Sequence, residues 1–367
     1  MAMNDINQVI LSDPALDPIW QKICRNEELS FEDGMACLRT QDMTGLGTMA
    51  DHVKTALWGQ KVYFVFNRQI NPTNLCVLSC KFCDFAKKKG QDGAYEMTIE
   101  EILSKITPEL REVHIVGGHH PDWPFETYVN IISTIRQEYP EINIKAWTAA
   151  EIDYFAKRFR LSYEEVLATM RDAGLDSMPG GGAEVFSERV RKLLFPGKIG
   201  ADKWLEIHRI AHRMGIRSNA TMLFGHIETY EERIRHMIEI RKLQNETGGF
   251  FSFIPLEYQL GETNLVEHPV SPMEDLKTVA TARLMLDNIP HIKAYWVMMG
   301  ENTASIALNF GASDLDGTIG EEKIAHAAKA SSPVGLARER LLGLIREAGK
   351  VPVERDALYQ EIKIYGN

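Results

Sequence analysis

Three cysteines in one short segment are the residues best suited to chemistry in this chain. Cys76, Cys80 and Cys83 follow the spacing Cys-x3-Cys-x2-Cys. Three thiolates on one short loop can occupy three corners of an iron–sulfur cubane, and such clusters are otherwise usually held by four thiolates. The fourth iron would then lack a protein ligand and would be open to an exogenous one. The spacing therefore predicts a 4Fe–4S cluster with one open coordination position.

Other interpretations of the three cysteines remain open at this point. A zinc site needs a fourth Cys or His, which His114, His119 or His120 could supply only through the fold. An electron-transfer cluster with four thiolates would need Cys24 or Cys37. The remaining alternative gives the three cysteines no metal role.

The cysteine segment resembles the radical S-adenosylmethionine (SAM) superfamily, whose signature is Cys-x3-Cys-x-aromatic-Cys. Phe82 stands at the aromatic position. The resemblance implies that the three cysteines hold the 4Fe–4S cluster and that SAM binds its open iron through amino and carboxylate groups. It also implies that the reduced cluster cleaves SAM to a 5′-deoxyadenosyl radical. A flavodoxin or a ferredoxin is the implied electron donor.

Two glycine-rich turns extend this resemblance. Gly117 and Gly118 follow the second predicted strand, where radical SAM enzymes have a turn that contacts the amino group of SAM. Glycine also lets a backbone approach a ligand closely. Gly180, Gly181 and Glu184 belong to the stretch Pro-Gly-Gly-Gly-Ala-Glu. By resemblance Glu184 binds a ribose hydroxyl of SAM, and its alternative role is that of an acid at a helix start.

The same stretch resembles the radical enzymes of the futalosine route to menaquinone. Further matches are Gly-His-His-Pro-Asp-x-Pro-Phe (118–125), Ala-Trp-Thr-Ala (146–149), Phe-Ile-Pro-Leu (253–256) and Leu-Asp-Gly-Thr (315–318). The His-Pro after the glycine pair favours the aminofutalosine synthases over the futalosine cyclases. Residues 257–260 match no pattern of the group.

The resemblance implies a transferase. Such an enzyme adds the 5′-deoxyadenosyl radical to the enol ether of 3-[(1-carboxyvinyl)oxy]benzoate, and 6-amino-6-deoxyfutalosine is the product. SAM is consumed as a co-substrate. The alternatives are the futalosine cyclase, a subunit of deazaflavin-cofactor synthesis and, from another class, a non-catalytic Fe–S electron carrier.

The implied substrate carries two carboxylates, so its pocket needs cations or N–H donors. Arginine matches a carboxylate with its planar fork. Arg68, His119, His120 and Arg217 lie near predicted strand ends and are the candidates. The two histidines are also candidate proton donors or acceptors, because histidine titrates near neutral pH. The alternative for each residue is that it lies at the surface or behind the residues that contact the substrate.

Strands that alternate with helices must position these residues. Apolar runs that predict strands lie at 62–66, 113–116, 142–147, 174–178, 216–224, 250–256 and 292–298. Capping boxes that predict helix starts pair Thr98 with Glu101, Ser162 with Glu165, Thr229 with Glu232 and Ser271 with Glu274. This alternation predicts a parallel sheet, which a doubly wound sheet would also explain. Polar clusters after the strands favour an α/β fold of the (β/α)8 TIM-like barrel type.

The predicted domain organisation has three parts. Residues 1–60 form a helical N-terminal extension, 61–330 form the barrel, and 331–367 form a C-terminal helical or tail segment packed on it. Residues 314–318 are expected to form the loop that closes the barrel after its last strand.

Composition narrows the class of partner. The chain of 367 residues has a formal net charge of −10, which repels polyanions. It has neither the roughly 20 consecutive apolar residues of a membrane span nor the pattern of a secretory signal. We therefore expect a cytoplasmic enzyme with a small-molecule substrate and without nucleic acid or membrane as partners.

Overall fold

A sheet of seven parallel strands, taken in chain order, forms most of a barrel. The structure is a computed structural model that describes residues 9–366. The seven strands are β2 (Asn67–Ile70), β3 (Glu112–Ile115), β4 (Asn143–Ala146), β5 (Ser177–Met178), β6 (Arg217–Phe224), β7 (Phe250–Glu257) and β8 (His291–Ile292). Their carboxyl ends all point to the same side, because every neighbouring pair is parallel.

A second sheet closes the ring. It contains β1 (Lys61–Val65), β9 (Asp314–Gly317), β10 (Val351–Arg355) and β11 (Glu361–Ile364) in the order β11-β10-β1-β9. β1 runs almost directly into β2, and a parallel bridge between Lys293 and Asp314 joins the end of β8 to β9. Backbone pairing therefore continues around the whole barrel, which confirms the predicted fold class.

Helices cover the barrel and extend it at both ends of the chain. The first three are α1 (Asp17–Cys24), α2 (Phe31–Arg39) and α3 (Met43–Trp58). The others are α4 (Ile99–Leu103), α5 (Phe125–Glu138), α6 (Ala149–Phe159), α7 (Tyr163–Ala173), α8 (Glu188–Leu194), α9 (Ala201–Arg213), α10 (Tyr230–Thr247), α11 (Pro272–Met285), α12 (Trp296–Met299), α13 (Glu301–Ala307), α14 (Ile324–Ala327) and α15 (Arg338–Glu347). Within residues 9–366, none of them is long and apolar enough to cross a membrane.

Three of the four predicted capping boxes form with both of their hydrogen bonds, at the starts of α4, α7 and α10. At α11 only the serine half forms, because Ser271 accepts from the backbone N–H of Glu274. The carboxylate of Glu274 instead accepts from Arg233 at 2.5 Å and from the Tyr230 hydroxyl at 2.9 Å. The box that the sequence analysis missed, Thr148 with Glu151, starts α6.

Two predicted segments differ from the structure. The run at 292–298 continues β8 for only one residue before the chain turns into α12. Residues 314–317 are not a loop but strand β9, so that interpretation was wrong. Acids are uncommon in strands, and here buried cations compensate them: Arg355 lies 2.7 Å from Asp314, and Lys293 lies 3.2 Å from Asp316.

Candidate active site

A cavity of about 310 Å³ lies inside the barrel and opens toward the carboxyl ends of its strands. Its wall includes residues of six strands and the loops that follow them. The polar side chains of this wall include Asn67, Gln69, Asp84, His114, His119, Lys145, Glu151, Glu184, Lys198, Asn219, Gln259, Tyr295, Asp316 and Glu322. Barrel enzymes place their chemistry at this face, which makes the cavity the candidate active site.

The cysteine segment lies at the mouth of this cavity. Phe82 and Cys83 line the wall, whereas Val77 on the outer edge is 45% exposed. The backbone N–H of Val77 donates to the carbonyl of His119 at 2.9 Å. The loop is therefore fixed to the turn that follows β3.

The three thiols of the cysteine segment are partly buried, and their chemistry suits the irons of a 4Fe–4S cluster. Burial is the largest cause that raises the pKa of the Cys80 thiol to about 11, and Cys83 and Cys76 act in the same direction. The thiols are thus close enough to interact, and the buried ammonium of Lys198 opposes the shift. Among residues 9–366, no three His, Cys, Asp or Glu side chains are arranged to hold a single metal ion. The structure therefore gives the zinc alternative no support.

The turn at Gly117 and Gly118 packs directly on the cysteine segment. A Cβ atom on Gly118 would lie 2.1 Å from the carbonyl oxygen of Leu75, so only glycine fits there. The backbone N–H of Gly117 donates to the carboxylate of Glu151 at 3.0 Å. Burial raises the pKa of Glu151 to about 7 although the N–H groups of Thr148 and Gly117 oppose the shift. A backbone turn and a buried acid therefore shape one side of the mouth.

The second glycine-rich turn packs beside the start of α6, where Thr148 and Ala150 lie. Gly180, Gly181 and Gly182 line the cavity, and Gly180 approaches the backbone of β6 so closely that a Cβ atom would lie 2.7 Å from it. The carboxylate of Glu184 pairs with the ammonium of Lys198, and both side chains are mostly buried. Glu184 thus lines the cavity as half of an ion pair.

The two predicted histidines occupy different environments. His119 lines the cavity and stacks on Tyr154 at 4.8 Å, and burial lowers its pKa to about 3. The ring of His120 lies outside the cavity lining. Its Nδ1 accepts from the backbone N–H groups of Asp122 and Trp123, and its Nε2 lies 2.9 Å from Glu96. His120 therefore orders the loop, and of these two histidines His119 is the one that can meet a ligand in this cavity.

Neither predicted arginine reaches the cavity. Asn67 and Gln69 line the wall, and Arg68 between them points away toward Glu321, 3.7 Å from its carboxylate. This follows from the alternation of side chains along a strand. Arg217 begins β6 at the opposite end of the barrel, where its guanidinium lies over Phe251.

A layer of buried charges forms the floor of the cavity instead. It contains three acidic and three basic side chains, namely Glu112, Asp314, Asp316, Lys145, Lys293 and Arg355. Lys145 lies 2.6 Å from Glu112, and of the six only Lys145 and Asp316 line the cavity. His114 lies beside them, and burial followed by the charge of Lys145 lowers its pKa to about 3.

The sequence analysis named His114 only as a possible zinc ligand and did not name the floor residues as candidates for substrate binding. His114 and Lys145 lie inside apolar strand runs, Val-His-Ile-Val and Ile-Asn-Ile-Lys-Ala-Trp. Their signal was a polar side chain in the middle of each apolar run. Glu151 had a signal too, since Thr148 and Glu151 have the spacing of a capping box.

Family models match nearly the whole barrel. One, described as "Radical SAM superfamily", matches residues 70–240, and another, described as "CofH/MqnC C-terminal region", matches 247–366. The aminodeoxyfutalosine synthase of Thermus thermophilus is 44% identical over 97% of this chain and 98% of its own length. The chain belongs to the radical SAM superfamily.

Other relatives of this radical SAM enzyme have other activities. A 5-amino-6-(D-ribitylamino)uracil–L-tyrosine 4-hydroxyphenyl transferase of Methanopyrus kandleri is 40% identical over 86% of this chain and 88% of its own length. Among solved structures, a methylornithine synthase superimposes with a TM-score of 0.73 at 18% identity, over 91% of this chain and 97% of that chain. The last likeness concerns the fold alone.

Proposed function

We propose that this radical SAM enzyme is an aminofutalosine synthase. It joins the 5′-deoxyadenosyl group of SAM to 3-[(1-carboxyvinyl)oxy]benzoate with release of methionine. Loss of the vinyl carboxyl group as bicarbonate or CO₂ then gives 6-amino-6-deoxyfutalosine for menaquinone biosynthesis. The observation that carries the proposal is the 44% identity to the curated synthase over 97% of the chain. A cytoplasmic flavodoxin or ferredoxin is the proposed electron donor.

The residues at the mouth of the cavity have separate roles in this proposal. Cys76, Cys80 and Cys83 would hold the 4Fe–4S cluster, which when bound and reduced supplies the electron that cleaves the S–C5′ bond of SAM. Gly117 and Gly118 let the backbone approach the amino acid part of SAM, since neither position has a side chain in the way.

Five wall residues complete the SAM side of the site. Glu151 orients the Gly117 turn through its 3.0 Å hydrogen bond. Glu184 offers carboxylate oxygens to ribose hydroxyls, while Lys198 balances its charge. Neutral His119 has one N–H donor and one acceptor nitrogen at the wall, and the apolar ring of Phe82 excludes water near the cysteines.

The test is anaerobic reconstitution with iron and sulfide, followed by dithionite, SAM and the enolpyruvyl benzoate, with products analysed by mass spectrometry. Parallel reactions offer dehypoxanthine futalosine, or tyrosine with 5-amino-6-(D-ribitylamino)uracil. We expect aminofutalosine from the first mixture and no new product from the others. A product in either parallel reaction, without aminofutalosine, would replace the proposal by that activity.

A further inference from the structure

The proposed substrate has an uncommon hydrogen-bonding character. At neutral pH, 3-[(1-carboxyvinyl)oxy]benzoate has two carboxylates and an ether oxygen, and it has no N–H or O–H group. It can therefore only accept hydrogen bonds, and its partners in the cavity must be donors. The assignment of a binding site to the carboxylate of the benzoate ring rests on the proposed function.

Most charged groups of the cavity wall are unsuited to a dianion. Five acids line the wall, namely Asp84, Glu151, Glu184, Asp316 and Glu322, but only two lysines, Lys145 and Lys198. Lys198 is paired with Glu184 beside the cysteine segment. Acceptor oxygens suit the hydroxyl and amino groups of SAM, so the region around Lys145 remains for the carboxylate.

Three polar side chains form a row across neighbouring strands at the floor. Gln69 of β2 is the register partner of His114 in β3, and His114 is the register partner of Lys145 in β4. All three line the cavity. Neighbouring strands lie about 4.8 Å apart, so the row spans about 10 Å, and we call it the carboxylate row.

The row contains donors that the chain itself does not use. The Nε2 atom of His114 is buried and has no hydrogen-bond partner within residues 9–366. The ring is neutral, because burial and Lys145 hold its pKa near 3, and a neutral imidazole has one N–H donor. The ammonium of Lys145 has three N–H donors, and Glu112 accepts from it at 2.6 Å. A carboxylate at this part of the wall would accept from the ammonium of Lys145, and from His114 once its ring turns Nε2 toward the cavity.

Depth in the barrel orients the substrate. His114 precedes Gly117 by three residues, which corresponds to about 10 Å along an extended strand. The enol ether must lie at the mouth beside SAM, so the opposite end of the molecule reaches the floor. We propose that Gln69, His114 and Lys145 bind the carboxylate of the benzoate ring and so select an aryl carboxylate substrate.

The test compares two compounds in binding alone. Dissociation constants are measured for the reconstituted holoenzyme with SAM and without reductant. The ligands are the enolpyruvyl benzoate and 2-phenoxyacrylate, which lacks the ring carboxyl group. We expect the unsubstituted enzyme to bind 2-phenoxyacrylate about 100-fold more weakly, the scale of losing one partner of a buried charged hydrogen bond.

Variants then test which residues cause the preference for the enolpyruvyl benzoate over 2-phenoxyacrylate. We expect His114→Leu to reduce the ratio of the two dissociation constants to about tenfold. His114→Gln keeps an N–H donor and should restore the ratio of the unsubstituted enzyme. The double variant Glu112→Gln/Lys145→Met removes both partners of the ion pair, so that no uncompensated buried charge remains. Its dissociation constants for the two compounds should differ by no more than about threefold. His208→Leu is the matched control, because the Nε2 atom of this buried histidine also lacks a partner but lies outside the cavity lining.

The outcomes separate this inference from the proposed function. The inference is supported when the preference for the ring carboxyl group is lost in the variants of the carboxylate row and is kept in His208→Leu. A preference that persists in His114→Leu and in the double variant overturns the row, even when aminofutalosine forms. An unsubstituted enzyme that binds neither compound would contradict both proposals together.

Discussion

The mouth and the floor of the cavity are built by different means. At the mouth, backbone turns approach one another so closely that Gly118 leaves 2.1 Å between an added Cβ atom and the Leu75 carbonyl. At the floor, side chains of β2, β3 and β4 meet through strand register, and buried charges balance in pairs. The mouth therefore depends on glycines, which have no side chains, and the floor depends on charged side chains.

This difference shows which part of a site can be predicted from the sequence. The mouth comes from short contiguous motifs, such as the eight residues from Cys76 to Cys83. The floor combines Gln69, His114 and Lys145, which are separated by 45 and 31 positions in the chain. We expect substitutions at the mouth to impair SAM chemistry and those at the floor to impair stability and substrate choice.

The largest effect is expected at the mouth, for Cys83→Ala. Removal of this thiol leaves two cysteine ligands in the segment, so the cluster should not assemble. Iron content, visible absorbance and the formation of 5′-deoxyadenosine should all fall to background. Cys37→Ala, in buried α2, is the control that should keep the cluster. A fully loaded Cys83→Ala protein would show that this thiol is not a ligand.

The next largest effect is expected at the floor, for Lys145→Met. The substitution leaves the fully buried carboxylate of Glu112 with one partner fewer, at a cost of about 3–5 kcal/mol in the free energy of unfolding. The double variant Glu112→Gln/Lys145→Met should regain most of this loss. Denaturant unfolding measures both values.

A surface pair provides the control for this experiment. Lys242 pairs with Glu239 at 2.8 Å, and their side chains are 66% and 42% exposed. Lys242→Met should therefore change the free energy of unfolding by less than about 1 kcal/mol. Equal losses in Lys145→Met and Lys242→Met would contradict the special status of the floor.

A smaller effect is expected for Gly118→Ala at the mouth. The added Cβ atom forces the turn away from the cysteine segment, and a displacement near 1 Å costs about 100-fold in rate. The rate of SAM cleavage with dithionite measures this loss. Gly343→Ala is the control, because that glycine lies in α15 with only distant neighbours and alanine favours a helix. An unchanged rate in Gly118→Ala would show that SAM chemistry does not depend on this close approach.

The smallest effect concerns pH and Glu151. Burial raises the pKa of this carboxyl to about 7, so the ionised form, which accepts from Gly117, gains population as pH rises through 7. Affinity for SAM should increase by about tenfold between pH 6 and pH 8 as the group ionises. Glu151→Gln should lose this part of the dependence, whereas the titration of SAM itself is common to both proteins. Parallel pH profiles in equilibrium dialysis would exclude Glu151 as the titrating group.

The fold could be predicted largely from periodicity and helix caps. The strands around His114 and Lys145 appeared as apolar runs, and three reciprocal capping boxes located helix starts correctly. Strand β9 could not be predicted, because the propensity of Asp314 and Asp316 opposes a strand. The cations that compensate them, Lys293 and Arg355, come from other parts of the chain.

The site could be predicted only where it is local in sequence. Phe82, Cys83, Gly117 and the glycines of the second turn line the cavity, because a contiguous motif carries its own geometry. Arg68 was a plausible carboxylate ligand by residue type, but the alternation along β2 gives the inward positions to Asn67 and Gln69. The floor depends on register between strands, which the sequence does not state.

A crystal structure of the anaerobic holoenzyme with SAM and the enolpyruvyl benzoate tests the division between mouth and floor most directly. We predict that SAM lies against Gly117 and the cysteine segment. The carboxylate of the benzoate ring should lie within hydrogen-bonding distance of His114 Nε2 and Lys145 Nζ. A ring carboxylate bound at Lys198 beside the cysteines, with the carboxylate row free of ligand, would contradict this account.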